Sequence, residues 1–384
     1  MKLCVIITVS QNLFSLYRDQ FKFLMEKGVE VTAIAAPGPE HEMLRKLGVR
    51  TFEIPMEKKP APLKDLISLV RLFVHLCRNR YDIVSVSTPK ASLLGTLAAR
   101  LSFHNEIFFT LRGRAYENKS GLEKAIYKKL DKLICSLCSN VFSISHEMRE
   151  DFIADSLVAP EKIFVIGAGS SNGVDLQKFT PNPKLKSSAR EIRRRLGISS
   201  DSIVFLYSGR ISKDKGTEQL VSAFVGLEST YDCFLIIQGA FDDTDPVSES
   251  TLTTIGEASN IFLEPWSFTV EEYFAAANVF VFPSHREGFG NVAIEASAMG
   301  LPVIAFDVVG CRESVLDNIT GKLVRPFSVE DLRKQLELLS KDGSLRRFYG
   351  VNGRRRVENC FGSELIWSEL LRRYLKACEE SQTL

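Results

Sequence analysis

The sequence predicts an α/β protein built from two doubly wound, Rossmann-like domains facing a central cleft. Three observations lead there. Strand-like apolar runs alternate with helix-period segments from end to end, the pattern of mostly parallel sheets with helices on both faces. The 384 residues suit two domains. The character of the chain also changes between about 172 and 202, where Pro181, Pro183 and a Lys- and Arg-rich helix predicted over Ser188–Leu196 separate the halves. The expected domains are residues 1–180 and 181–360, with 361–384 as a terminal helix. Ligands of such sheets bind outside the carboxyl ends of the strands.

The elements follow in order. Leu3–Val9 is a continuous apolar run and reads as a first buried strand, because parallel strands are covered on both faces. A helix is predicted over Leu13–Lys27, then a strand over Val29–Ala35, helix Glu40–Leu47, short strand Thr51–Ile54 and helix Leu63–Arg78. Strand Ile83–Ser87, helix Ala91–Leu101, strand Glu106–Leu111 and helix Leu122–Cys138 continue the series, and Val141–Ile144 and Ile163–Ile166 close the first half. The second half opens with strand Ile203–Ser208, helix Glu218–Leu227, strand Phe234–Gln238 and strand Ile261–Leu263. Helix Val270–Ala277, strand Val279–Phe282, helix Asn291–Met299 and strand Pro302–Phe306 follow, and an amphipathic helix is predicted over Phe361–Ala377.

Bulk properties narrow the function. Hydrophobic residues make up 45% and charged residues 25%, ordinary for a globular enzyme. A net charge of +2 gives no global pull toward nucleic acid. No apolar run is long enough to span a bilayer, and Leu3–Ile7 is too short for a signal-peptide core. The eight cysteines are scattered, and the lone Cys135/Cys138 pair falls on a helical pattern. They read as reduced, buried residues of a cytoplasmic protein. No G-x-G-x-x-G follows either first strand, which disfavours a dinucleotide-dependent dehydrogenase.

Two segments carry the chemistry. In Pro283–Ala296, Glu287 and Glu295 flank a turn, Gly288-Phe289-Gly290, and a helix that starts at Asn291. The glycines let backbone approach a ligand, and a helix start offers N–H groups and partial positive charge to an anion such as a diphosphate. Glu295, one turn into the helix, suits two vicinal hydroxyls. Phosphate cradle, hydroxyl clamp and carboxylate in one segment suggest a nucleotide-sugar site. In Tyr207–Gly216, between a strand and a helix, Arg210 and Lys215 are flanked by Gly209 and Gly216. A guanidinium fork and an ammonium together neutralise a departing diphosphate without a metal. The loop Asp242-Asp243-Thr244-Asp245 reads as a solvated turn more than as a metal site. His285 and His146 read as exposed turn residues near the cleft, and His41, His75 and His104 as surface or helix positions.

On these residues the chain resembles the retaining nucleotide-sugar glycosyltransferases of family 4. The segments are Gly209-Arg210…Lys215-Gly216, Ser171–Phe179, and Glu287 through Glu295 to Val303. The last is similar to the branch that builds capsule, O-antigen and other lipid-linked glycans. The resemblance covers essentially the whole chain and implies the GT-B fold. It implies that Arg210 and Lys215, after Gly209, hold the donor diphosphate and that Glu295 binds the ribose. Glu287, with the backbone from Gly288 through Phe289, Gly290 and Asn291 to Val292, faces the donor sugar, and Trp266 lies where the base is held. The first loop, Thr8–Tyr17, has no glycine and departs from the family's pattern, so Ser10, Gln11 and Asn12 are expected to form a polar acceptor-side loop. After the fifth strand, Arg112 and Gly113 stand where many relatives have a histidine, and Arg112 is the candidate contact to an acceptor phosphate or the donor sugar. The terminal helix is expected to cross back to the first domain.

The implied reaction is front-face transfer of a hexose or N-acetylhexosamine, with retained configuration and no metal or cofactor, from a UDP-sugar to a lipid-linked or glycan acceptor of bacterial surface polysaccharide synthesis. A non-catalytic nucleotide-sugar-binding subunit, a nucleotide-sugar epimerase and a phosphorylase are the alternatives. Leu122–Cys135 adds an expectation of membrane contact. Leu122, Ile126, Leu130, Leu133 and Ile134 form an apolar face beside Lys124, Lys128, Lys129 and Lys132, with Arg71, Arg78 and Arg80 in the same half. That pattern fits either a core-facing helix with a solvated lysine face or a helix lying on an anionic membrane at the inner face of the cell membrane.

Overall fold

The computed structural model describes residues 1–57, 59–114, 116–117, 119–227 and 232–382. The chain divides into two units, Met1–Gly173 with Ser363–Leu384, and Val174–Gly362. The boundary thus falls at 173/174, where the sequence set 180/181, and the return at 362/363, where it set 360/361.

In the first unit, β1 (Lys2–Ile6), α1 (Ser10–Glu26), β2 (Glu30–Ala35), α2 (Glu40–Lys46), β3 (Arg50–Glu53) and α3 (Pro62–Arg78) come first. Then follow β4 (Ile83–Ser87), α4 (Pro89–Leu101), β5 (Ile107–Leu111), α5 (Gly121–Leu137), β6 (Asn140–Ser143), α6 (His146–Ala154) and the two-residue β7 (Ile163–Phe164). The sheet is parallel, in the order β3-β2-β1-β4-β5-β6-β7. Right-handed crossovers then put α1 and α2 on one face and α3, α4 and α5 on the other, in agreement with the contacts of α1 with α2, α3 with α4, and α4 with α5. Val5, Ile7, Val31, Ile83 and Phe108 build the core beneath α1. The last helix, α15 (Ser363–Gln382), supplies Ile366, Leu370 and Tyr374 to the same core.

In the second unit, α7 (Pro183–Arg195), β8 (Ile203–Ser208), α8 (Thr217–Val225), β9 (Cys233–Gly239), α9 (Glu249–Glu257), β10 (Ile261–Pro265) and α10 (Val270–Ala276) come first. Next are β11 (Val279–Phe282), α11 (Asn291–Ala298), β12 (Val303–Phe306), α12 (Cys311–Ser314), β13 (Gly321–Val324), α13 (Val329–Lys341) and α14 (Gly343–Cys360). Helix α15 (Ser363–Gln382) belongs to the first unit. This sheet is also parallel, in the order β10-β9-β8-β11-β12-β13. Its core is Phe205, Tyr207, Phe224, Leu235, Val281 and Phe306 with Leu332 and Leu336 of α13.

Several expectations need correction. Helix α1 begins at Ser10 instead of Leu13, so Ser10, Gln11 and Asn12 are its first turn and not a loop. No proline or glycine breaks the chain there, and β1 ends at Ile6. The basic helix starts at Pro183, capped by Asn182, whose Oδ1 accepts from Leu185 N at 3.0 Å. It is no linker. Arg193 donates to the Ala276 carbonyl at 2.9 Å and to Asn278 Oδ1 at 2.7 Å, which fixes α7 to the second sheet. Phe361 is fully buried, and the final helix starts two residues later, at Ser363. Its predicted last residues, 383 and 384, lie outside the described ones. Helices α6, α9, α12, α13 and α14 and strand β13 were not predicted.

The candidate nucleotide-sugar site

The second unit's strand order reverses at β8 and β11, and doubly wound sheets take ligands beside that switch point. The loops leaving the two strands are locked together. Gly216 has φ +70°, and a Cβ there would stand 1.9 Å from the Pro283 carbonyl oxygen, so only glycine permits the approach. The His285 N–H bonds the Asp214 carbonyl at 2.9 Å.

Charge is dense across this junction. Lys215 Nζ lies 2.5 Å from Glu287 Oε1, with both side chains less than one-fifth exposed. Arg210, half-exposed, pairs with Asp242 and lies 3.4 Å from Asp214 Oδ2. Arg286 reaches the same Asp214 oxygen at 3.2 Å. Ser212 donates to the other Asp214 oxygen at 2.5 Å, and the Asp214 N–H donates to Asp245 Oδ2 at 2.7 Å. Burial pushes the Asp214 carboxyl up, but Ser212, Lys215, Arg210 and Arg286 together hold it below its ordinary value. Asp242 is also held low, first by its hydrogen bonds from Thr244 and then by Arg210. The acidic loop therefore serves the arginine.

Gly290 precedes α11 with φ +81°, and a Cβ would come within 2.8 Å of Phe282 Cε1. The N-cap residue is Gly290, which has no side chain to cap the first turn, so α11 begins at Asn291 directly after the turn Gly288–Gly290. Phe289 is 1% exposed and packs edge-on against Phe361 at 5.4 Å, so it offers a ligand only backbone. Glu295 sits on α11 with its carboxyl enclosed. Burial raises it to about 7, against the pull of Lys178. Lys178 also donates to the Phe268 carbonyl at 3.1 Å and pairs with Glu271. Trp266, 53% exposed, meets Phe268 edge-on at 4.3 Å just after β10. The neighbouring Glu264 is committed elsewhere, to Arg195 and to the Tyr273 hydroxyl at 2.7 Å.

The residues Gly209, Arg210, Lys215, Glu287, Gly288, Gly290, Asn291 and Val292 thus share one junction, with Glu295 and Trp266 on the same unit. The sequence reading missed Asp214, Arg286 and Lys178, although each lies within a segment it had singled out. His285 is not an exposed turn residue. Its ring lies 4.4 Å from that of Phe327, Nε2 is 3.1 Å from Gln219 Oε1, and burial lowers its basicity. His41 lies on helix α2, as one of the two readings had it, but is buried there, and His104 is buried and not a surface residue.

The first unit's candidates are sparser. Ser10 is buried and donates to Glu40 at 2.7 Å, while Gln11 and Asn12 are exposed on the first turn of α1. Arg112, just past β5, donates through Nε to Ser87 Oγ at 3.1 Å and lies 5.1 Å over the Tyr17 ring. Gly113 is exposed with open space around it. Cys135 and Cys138 are free and buried, and burial pushes the Cys138 thiol up to about 12, which suits packing rather than redox work.

Comparison with known proteins accords with this architecture. Residues 188–356 match the family of group 1 glycosyl transferases, and residues 17–178 match Glycosyltransferase Family 4. The capsular polysaccharide biosynthesis glycosyltransferase CapM of Staphylococcus aureus is 33% identical over 99% of this chain and 98% of its own. An Escherichia coli UDP-Gal:α-D-GlcNAc-diphosphoundecaprenol α-1,3-galactosyltransferase is 27% identical over 89% of this chain and 88% of its own. Among solved structures, Anabaena HepE in complex with UDP and glucose superposes with a TM-score of 0.82 at 19% identity, covering 98% of this chain and all of that one. The fold is GT-B, the architecture of a large class of glycosyltransferases. Within that class, the chain belongs to glycosyltransferase family 4.

Proposed function

We propose that the protein transfers a hexose or N-acetylhexosamine from a UDP-sugar to a lipid-linked or glycan acceptor in capsule or related surface polysaccharide synthesis, with retained anomeric configuration and without a metal. The carrying observation is the Lys215–Glu287 pair beside Arg210 and the Gly290-led start of α11. The names of the relatives agree with this reading: one makes capsular polysaccharide, one takes UDP-galactose to a diphosphoundecaprenol acceptor, and HepE binds UDP and glucose.

In the proposed reaction the bond from the anomeric carbon to the β-phosphate oxygen breaks, and the acceptor oxygen forms its bond on the same face. The acceptor proton passes to the departing phosphate oxygen. Negative charge grows on the diphosphate, where Lys215, Arg210 and the start of α11 oppose it. Glu295 takes the ribose hydroxyls, Trp266 lies against the base, and Glu287 faces the sugar while holding Lys215. Arg112 of the first unit contacts the acceptor phosphate. The enzyme works at the inner face of the cell membrane, where a lipid-linked acceptor is presented.

A thermal-shift panel of UDP, GDP, ADP and UDP-sugars, with and without EDTA, tests the donor. A ligand that binds only the folded protein raises its melting temperature. UDP and one UDP-sugar are expected to shift it, unaffected by EDTA. A shift by GDP or ADP alone, or one abolished by EDTA and restored by Mg²⁺, overturns the donor or the metal-free reading. NMR of the product made with that donor then reads the anomeric configuration, and an inverted product rejects retention.

A further inference from the structure

Helix α3 carries an apolar stripe that the protein does not cover. Leu63 is 81% exposed, Leu66 57%, Ile67 55%, Val70 52% and Val74 37%. The spacing i, i+3, i+4, i+7, i+11 puts all five on one side of the helix. Its opposite side, through Ser68, Leu72 and Leu76, is buried. A contiguous row of this kind marks an interaction surface, unlike apolar residues scattered singly.

Helix α5, on the same face of the first sheet, repeats the arrangement. The side expected to be uniformly apolar is divided. Ile134 is buried and Leu130 half-buried, but Leu122 is 78% exposed, Ile126 48% and Leu133 40%. The helix instead turns Asp131 inward, where burial raises its carboxyl to about 7.

The charge on the two helices selects the occupant. Arg71 and Arg78 stand exposed beside the α3 stripe, and Lys124, Lys129 and Lys132 stand exposed on α5. The acids are all engaged or hidden: Asp65 pairs with Lys90 at 2.7 Å, Glu123 with Lys119 at 2.7 Å, and Asp131 is buried. Apolar side chains flanked by cations that have no acidic partner among the described residues match an anionic lipid surface, where acyl chains take the former and headgroups the latter.

We propose that the α3–α5 face of the first unit docks on anionic bilayers, with the α3 stripe as the inserted element and α5 as its basic flank. This names the surface behind the membrane location proposed above. Vesicle binding is read without sugar transfer, so the two ideas fail separately.

The test is flotation of the full chain with phosphatidylglycerol and with phosphatidylcholine vesicles, at low and high salt. The wild type is expected to float with phosphatidylglycerol at low salt and to stay behind with phosphatidylcholine. The triple variant Leu66→Ser, Ile67→Ser, Val70→Ser is expected to lose more than about tenfold in partitioning. Arg71→Gln and Arg78→Gln are expected to lose about fivefold each. All five positions are exposed, and retention of the wild-type melting temperature and circular dichroism checks the fold of each variant. A wild type that fails to float overturns the proposal, as does a triple variant that floats equally well. A wild-type dimer by light scattering that the triple variant breaks, with flotation unchanged, assigns the stripe to a second copy instead.

Discussion

The two units share a strand order and differ in what they place where it reverses. In the first unit the switch lies between β1 and β4, and it is closed by neutral hydroxyls. Thr8 Oγ1 and Thr88 Oγ1 stand 2.7 Å apart, and the Thr8 N–H bonds Thr88 at 3.1 Å. In the second unit the switch between β8 and β11 is lined by charge: Asp214 is held by Arg210 and Arg286, and Lys215 by Glu287. The same backbone thus makes a seam of neutral hydroxyls in one place and a cluster of ion pairs in the other. Topology chooses the location of a site, and the side chains at the strand ends decide whether it holds charge.

The largest break in this comparison is expected from Lys215→Ala. If the ammonium stabilises the leaving diphosphate, turnover falls by more than about a hundredfold, and Glu287 loses its partner. Near-normal kcat in that variant removes Lys215 from the role. Second is a pair of glycines. Gly290→Ala forces a Cβ into Phe282 at positive φ and is expected to cost about 2 kcal/mol in urea unfolding, whereas Gly113→Ala, in open space, stays within about 0.5 kcal/mol. Equal effects would deny that the turn before α11 is conformationally specified.

Arg210→Ala and Arg112→Ala come next. The first is expected to raise the donor KM about tenfold, in line with one charged hydrogen bond, and the second to raise the acceptor KM alone. A donor effect from Arg112→Ala would move that arginine to the donor side. The smallest effect is a pH dependence. Glu295 ionises near 7 in the folded protein, above its ordinary 4.5. A raised carboxylate pKa stabilises the folded state fully below about 4.5 and loses that contribution as the pH climbs through about 7. Glu295→Gln is therefore expected to raise the melting temperature of the free protein by a few degrees above neutrality and to flatten its fall with pH. If the ionised carboxylate takes the ribose hydroxyls, UDP is expected to bind the wild type more tightly as pH rises through 7, and Glu295→Gln to lose that dependence. An unchanged pH profile in that variant would place the titration elsewhere.

Much of the fold was legible because parallel strands, covered on both faces, are continuous apolar runs: Ile203–Ser208 and Val279–Phe282 need no context to be read. The stretch 321–360 was not. Helix α14 carries Gly343, Gly350 and Gly353, which read as breakers. Gly350 is there for packing, since a Cβ would come 2.0 Å from the Gly300 carbonyl oxygen. Ser10, Gln11 and Asn12 misled for the opposite reason: three polar residues look like a loop, yet Ser10 is satisfied by Glu40, thirty residues away. In the second unit, spacing brought out Arg210, Lys215, Glu287 and Glu295. It could not reveal Asp214, whose role lies in a carboxylate shared by two arginines from different loops. Nor could periodicity tell which side of α5 turns outward, because burial of Asp131 goes against its pattern.

The pairing of Arg210 with Asp242 and Asp214 bears on how substrate arrives and product departs. In the proposed reaction, an incoming diphosphate would meet an arginine already occupied by Asp242 and Asp214, so binding would be an exchange of anions and not the capture of a bare cation. Salt would then weaken the resident pair and the incoming one together, so donor affinity is expected to vary little with ionic strength. On that reading, Asp242 would be at hand to reclaim the guanidinium as the spent nucleotide loosens, and the pair would re-form between turnovers.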